Sequence, residues 1–175
     1  MEKESIANLI DEKYSALIEW IENHPDELWT HGPEGKWTTG QHVLHVLQST
    51  IPLNNALSLP KFVVRYRFGK ANRAVREYDA IIKRYKERLE QSKGKTFKGS
   101  QNMKIPTLSD KHYLINRIQT ESKKLQYKTK RISEKNLDTL VLPHPLMGKM
   151  PVREIIMWSA YHVEHHLDIL KKKYS

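Results

Sequence analysis

The residues best placed to do chemistry lie near the end of the chain, in Ala160-Tyr-His-Val-Glu-His-His-Leu-Asp-Ile169. On a helix at 100° per residue, His162 and His166 point about 40° apart, so both can grip one metal ion. Summing the directions of Val152, Ile155, Ile156, Trp158, Val163, Leu167, Ile169 and Leu170 puts the apolar centre roughly 30° from His166, 70° from His162 and 130° from His165. His162 and His166 therefore look inward, and His165 looks toward the edge. Two imidazoles inside an apolar stripe cost free energy unless they have partners. A shared cation is one solution, and hydrogen bonds to carboxylates or backbone are the other. A third ligand must come from another helix, where His42 and His45 both qualify. The helical wheel leans slightly toward His42, but Pro52 and a broad apolar arc blur that face, and both stay open.

Other candidates are weaker. Glu164 and Asp168 fall on the opposite side of the final helix from His162 and His166, so neither suits a general base. Tyr161 could donate a proton from an edge position. Trp37 and Trp158 read as core or pocket wall. His144 lies in a Pro-rich turn before the last helix, from which it could reach the mouth of the site, but it reads first as a solvent-facing turn histidine.

The composition sets limits on this chemistry. The 175 residues support one domain, 1–175, with a real core. There is no cysteine, which excludes disulfide scaffolds, Cys-ligated zinc, iron–sulfur clusters and a cysteine nucleophile, so any thiol at the site must arrive from outside. Nine histidines are more than a typical composition supplies. No apolar run approaches the roughly 20 residues that span a bilayer, and Met1-Glu2-Lys3-Glu4 lacks the basic and apolar regions of a signal peptide. A soluble, cytoplasmic protein without a membrane partner is expected.

The formal charge of +10 is unevenly placed: residues 1–60 hold three basic and nine acidic side chains, residues 61–135 hold 22 and seven, and residues 136–175 hold five and four. A basic middle segment can attract nucleic acid or another anionic partner, which makes a non-enzymatic binding module the alternative function. On helices such charge is more often a solvated face. Despite Tyr66, Tyr78 and Tyr85, the segment lacks the Gly-rich or aromatic-interleaved signatures of recognition modules.

The elements that must position the histidines follow from periodicity. Ile6, Leu9, Ile10, Leu17 and Ile21 predict an amphipathic helix over 5–23, capped by Ser5 and ended before Pro25. Thr38 and Gln41 form a capping box ahead of a second helix from about 39, which Pro52 should kink or stop. A highly charged helix is expected over about 72–91, with too narrow an apolar stripe to be central. A polar loop follows over 92–105, with Gly94 and Gly99, and then a helix over 109–132. Leu142-Pro-His-Pro-Leu-Met-Gly148 cannot be regular helix. Pro151 suits the first turn of a last helix to about 172, whose Lys171, Lys172 and Lys173 favour the negative end of its dipole. No repeat or strand-like alternation is found, so the chain reads as all-α.

The run Gly35-Lys-Trp-Thr-Thr-Gly-Gln-His-Val-Leu-His45, followed by His144-Pro-Leu-Met-Gly148 and then His162-Val-Glu-His-His166, resembles the DinB/YfiT superfamily. The resemblance implies a four-helix bundle in up-down-down-up order, with a long crossover at 59–107 that carries the charged helix. It also implies a metal site of His45, His162 and His166, and an activity as a metal-dependent hydrolase or as a thiol S-transferase using a low-molecular-weight thiol. Three imidazoles suit a divalent zinc or nickel ion rather than magnesium or calcium, and leave a position open for water or substrate. A bundle that keeps the metal for stability alone is a third reading. A homodimer is also expected, as for many bundles with apolar face to spare.

Overall fold

Ile6, Ile10, Tyr14, Leu17 and Ile21 recur every three or four residues and form the buried stripe of α1 (Lys3–Glu22). The structure is a computed structural model and describes residues 1–92 and 103–174. The helix begins two residues before the expected Ser5 cap, with Glu2 as its N-cap. The single turn α2 (Glu27–Thr30) buries Trp29, whose Nε1 donates to the Thr107 carbonyl at 2.8 Å.

The capping box sets the start of α3 (Thr39–Ser58): Thr38 Oγ1 accepts from the Gln41 N–H at 3.1 Å, and Gln41 Oε1 accepts from the Thr38 N–H at 2.9 Å. Pro52 does not stop the helix, which runs six residues past it. Pro52 and Gln48, four residues earlier, are both exposed, so the carbonyl that loses its partner is open to water. Leu53, Asn54 and Leu57 are buried beyond the proline and hold the last turns on the core.

Two helices follow in the long connection, α4 (Lys61–Phe68) and α5 (Tyr78–Gln91). The charged helix starts at Tyr78 rather than near 72 because the preceding stretch is held extended. The Ala71 N–H donates to the Thr139 carbonyl at 2.8 Å, and Arg73 and Arg76 reach Glu154. Most of the expected loop, 92–105, lies outside the described residues. A 3₁₀ turn over residues 108–110 then leads into α6 (Lys111–Arg131), close to the expected 109–132.

After α7 (Glu134–Thr139), the non-helical Pro-rich stretch forms a hairpin that sequence periodicity did not predict. Strand β1 (Val141–His144) pairs antiparallel with β2 (Gly148–Pro151), His144 facing Gly148 across a three-residue turn. Gly148 has φ +75°, the left-handed conformation that such a turn needs. The last helix, α8 (Val152–Lys173), follows directly with Pro151 as its N-cap.

The four long helices α1, α3, α6 and α8 make the bundle; α1 and α3 each pack on both α6 and α8. Their directions follow from cross-helix pairs. Arg153 reaches the Met1 carbonyl and Lys13 reaches Glu164, so α1 and α8 are parallel. His42 meets His166 while Ser49 meets His162, so α3 and α8 are antiparallel. Lys3 reaches the Lys130 carbonyl and Gln126 reaches Asp11, so α6 opposes α1. The order is up-down-down-up, and the chain is an all-α bundle with one small hairpin. Outside the bundle, α5 lies on α8 through the buried Ile81 and Tyr85. No helix among the described residues is long and apolar enough to cross a membrane.

Candidate metal centre

The early start of α3 places His42 and His45 in its first two turns, opposite the second half of α8. There the structure brings together His45, His162 and His166, each offering a nitrogen within 4.8 Å of the others. The Nε2 atoms of His162 and His166 face each other at 3.1 Å. The His45 ring lies 5.1 Å from that of His162 and 4.9 Å from that of His166. His162 and His166 are buried in α8 and His45 is half-buried, so both inward directions read from the wheel hold.

The set fits a metal ion on two counts. His45 Nδ1 is buried without a hydrogen-bond partner, an unsatisfied donor or acceptor that a native interior seldom keeps. The imidazoles are also held neutral, as ligation requires. Burial lowers His45 to about 4, with His165 adding repulsion, and burial followed by the neighbouring histidines holds His162 and His166 well below the ordinary range. The three-histidine group can therefore hold a metal ion.

His42, the residue toward which the wheel leaned, stands one layer out: its Nδ1 is 2.9 Å from Nδ1 of His166. Ser49 occupies the corresponding place for His162, with Oγ 3.2 Å from Nδ1. Sequence reasoning passed over Ser49, although it lies four residues after His45 and so on the same face of α3. Trp37 is half-buried, its ring parallel to that of His166 at 6.1 Å and 5.0 Å from that of His45. Trp158 stacks on His162 at 4.7 Å. Both tryptophans therefore wall the site.

His144 is buried rather than solvent-facing, at 8% exposure. Its Nδ1 accepts the N–H groups of Leu146 and Met147, both at 3.0 Å, so the side chain closes the hairpin turn from inside. Its ring meets Trp158 edge to face at 4.1 Å. With Nδ1 accepting twice, Nε2 carries the hydrogen. That N–H and the indole N–H of Trp158 are both buried without partners. Tyr161 is buried rather than at an edge, because α5 covers it with Tyr85 and Lys86. Glu164 pairs with Lys13 at 2.9 Å, Asp168 is exposed, and His165 is half-buried beside Tyr85.

A protein-family model, that of the DinB superfamily, matches residues 9–170, from within α1 to the last turns of α8. No curated protein and no solved structure matches the chain at a comparable level. The match takes in α3, the hairpin and α8, and with them all three clustered histidines: the chain belongs to the DinB superfamily.

Proposed function

We propose that the chain is a metal-dependent enzyme of hydrolase or thiol S-transferase type, with His45, His162 and His166 holding a zinc or nickel ion. The observation that carries this reading is the convergence of three neutral imidazoles, two buried and one half-buried, from two helices on one point. Three protein ligands leave room for a further one, the arrangement of catalytic rather than structural sites. When bound, such an ion lowers the pKa of a neighbouring water or low-molecular-weight thiol and supplies a nucleophile near neutral pH.

The chain's own residues do the rest. α3 and α8 fix the ligand geometry, while Trp37 and Trp158 limit access of bulk water to the histidines.

The test is metal analysis of protein purified without a nickel column, followed by turnover screens on amide, ester and thiol-conjugate substrates. About one zinc or nickel per chain, lost in a His45→Ala/His166→Ala variant, is the expected result. Wild-type protein that neither carries nor takes up either metal would sink the reading.

A further inference from the structure

We infer that His42 and Ser49 are positioning residues of the metal centre, and that His42, by passing its Nδ1 proton to His166 and then accepting the hydrogen bond back, holds His166 in the form that can take the ion. The inference rests on the ligand set proposed above. An imidazole binds a metal through the nitrogen that carries no hydrogen, so its other nitrogen is an N–H that needs an acceptor. The Nε2 atoms of His162 and His166 face each other, while their Nδ1 atoms point to Ser49 Oγ and His42 Nδ1.

The Ser49 hydroxyl donates to the Val46 carbonyl at 2.7 Å, which leaves its Oγ as an acceptor. His162 therefore donates from Nδ1, and its Nε2 is bare. Across 3.1 Å, His166 donates from Nε2 to that bare nitrogen. His166 Nδ1 is then an acceptor, and His42 Nδ1 donates to it across 2.9 Å. One end of the chain, the serine, is fixed; the other, an imidazole, can reverse.

For both Nε2 atoms to face an ion, His166 must carry its hydrogen on Nδ1. The proton on His166 Nε2 leaves to water as the ion enters, the His42 Nδ1 proton crosses to His166 Nδ1, and His42 takes one proton from water at Nε2. The proton count is unchanged and every ring stays neutral. His42 ends as the acceptor that holds His166 in its ligating form. A carboxylate in that place would also accept, but it would add a buried charge. A phenylalanine would fill the space and accept nothing.

The experiment is nitrogen NMR of histidine-labelled wild-type protein before and after one equivalent of zinc, beside zinc affinities measured by chelator competition. The expected result is that His42 changes from the Nδ1–H to the Nε2–H form and His166 makes the reverse change at its ligating nitrogen, while His162 keeps Nδ1–H. His42→Phe should weaken zinc binding about 10–100-fold, and His42→Asn, whose amide oxygen can take the place of Nδ1, should recover most of it. A packing role would give the opposite order. Zinc binding with an unchanged His42 tautomer, or equal affinity in both variants and wild type, overturns the inference while leaving the metal site standing. No zinc uptake by wild type overturns both.

Discussion

Glu154, fully buried in the first turn of α8, accepts two hydrogen bonds from the Arg73 guanidinium at 2.5 and 2.8 Å and one from the Arg76 N–H at 2.7 Å. Burial works against its charge, but Arg73 and Arg76 overcome this and hold its carboxyl below the usual range. The bond fastens the long connection to the helix that carries His162 and His166. Removing Arg73 takes the two shortest guanidinium bonds from a buried carboxylate and leaves it the Arg76 N–H and a longer, 3.3 Å contact from the Arg76 guanidinium, whereas removing the carboxylate frees partly exposed guanidinium groups that water can reach. Arg73→Met should therefore destabilise by about 3 kcal/mol and Glu154→Gln by only about 1–2 kcal/mol. Urea unfolding of both variants checks the order, and equal midpoints would contradict it.

The same contact shows where sequence reasoning reaches and where it stops. Thr38 and Gln41 satisfy each other within one turn, so the start of α3 could be read locally. The extended stretch before α5 could not, because what keeps residues 72–77 out of the helix is a carboxylate some 80 positions away. Pro52 misled for a related reason: a local break was outweighed by Leu53 and Leu57 packing beyond it. At the site, the spacing of His162 and His166 identified one face of α8. The choice between His42 and His45 needed the antiparallel register of α3 on α8, in which His45 joins the cluster and His42 falls behind His166.

Because ligand binding to the native state alone raises its stability, metal occupancy should be visible in unfolding. A ligand at about 100 times its Kd adds about 2.7 kcal/mol. Zinc should raise the Tm of wild type, and a strong chelator should lower it again. His45→Ala and His166→Ala should show little response, while His165→Ala, altered at a half-buried ring outside the cluster, should respond as wild type does. Loss of the zinc response in His165→Ala would move the site.

The buried histidines also make stability depend on pH in a definite direction. Burial lowers His42, His45 and His144 to about 4, with neighbouring charge adding to it at His42 and His45, and holds His162 and His166 well below the ordinary range, against about 6.5 in the unfolded chain. Lys173 faces His42, and His165 faces both His42 and His45, so the surroundings add to the effect of burial. Between pH 6.5 and 4 the unfolded chain takes up protons that the folded chain refuses. Stability is therefore full above about pH 7 and falls as the pH drops through that window, by up to about 1.4 kcal/mol per unit for each histidine. Urea midpoints at pH 7.5, 6 and 5 with chelator present should decline in that order. A flat series would mean that the histidines are not held neutral.

The hairpin before α8 offers a separate test, because its clasp is a histidine outside the three-histidine cluster. His144 Nδ1 accepts the N–H groups of Leu146 and Met147, and Gly148 closes the turn at φ +75° with nothing within 4 Å of the position a Cβ would take. Gly148→Ala therefore meets no clash, and its cost is conformational alone, about 1 kcal/mol. His144→Ala leaves two N–H groups without their acceptor, one of them on the buried Met147, and should cost about 2 kcal/mol. His144→Asn returns an acceptor oxygen near the place of Nδ1 and should recover much of that loss. Zinc affinity should be nearly the same in all three variants, since the ring of Trp158 packs between His144 and His162. A large fall in zinc affinity with stability intact would instead make His144 part of the ligand shell.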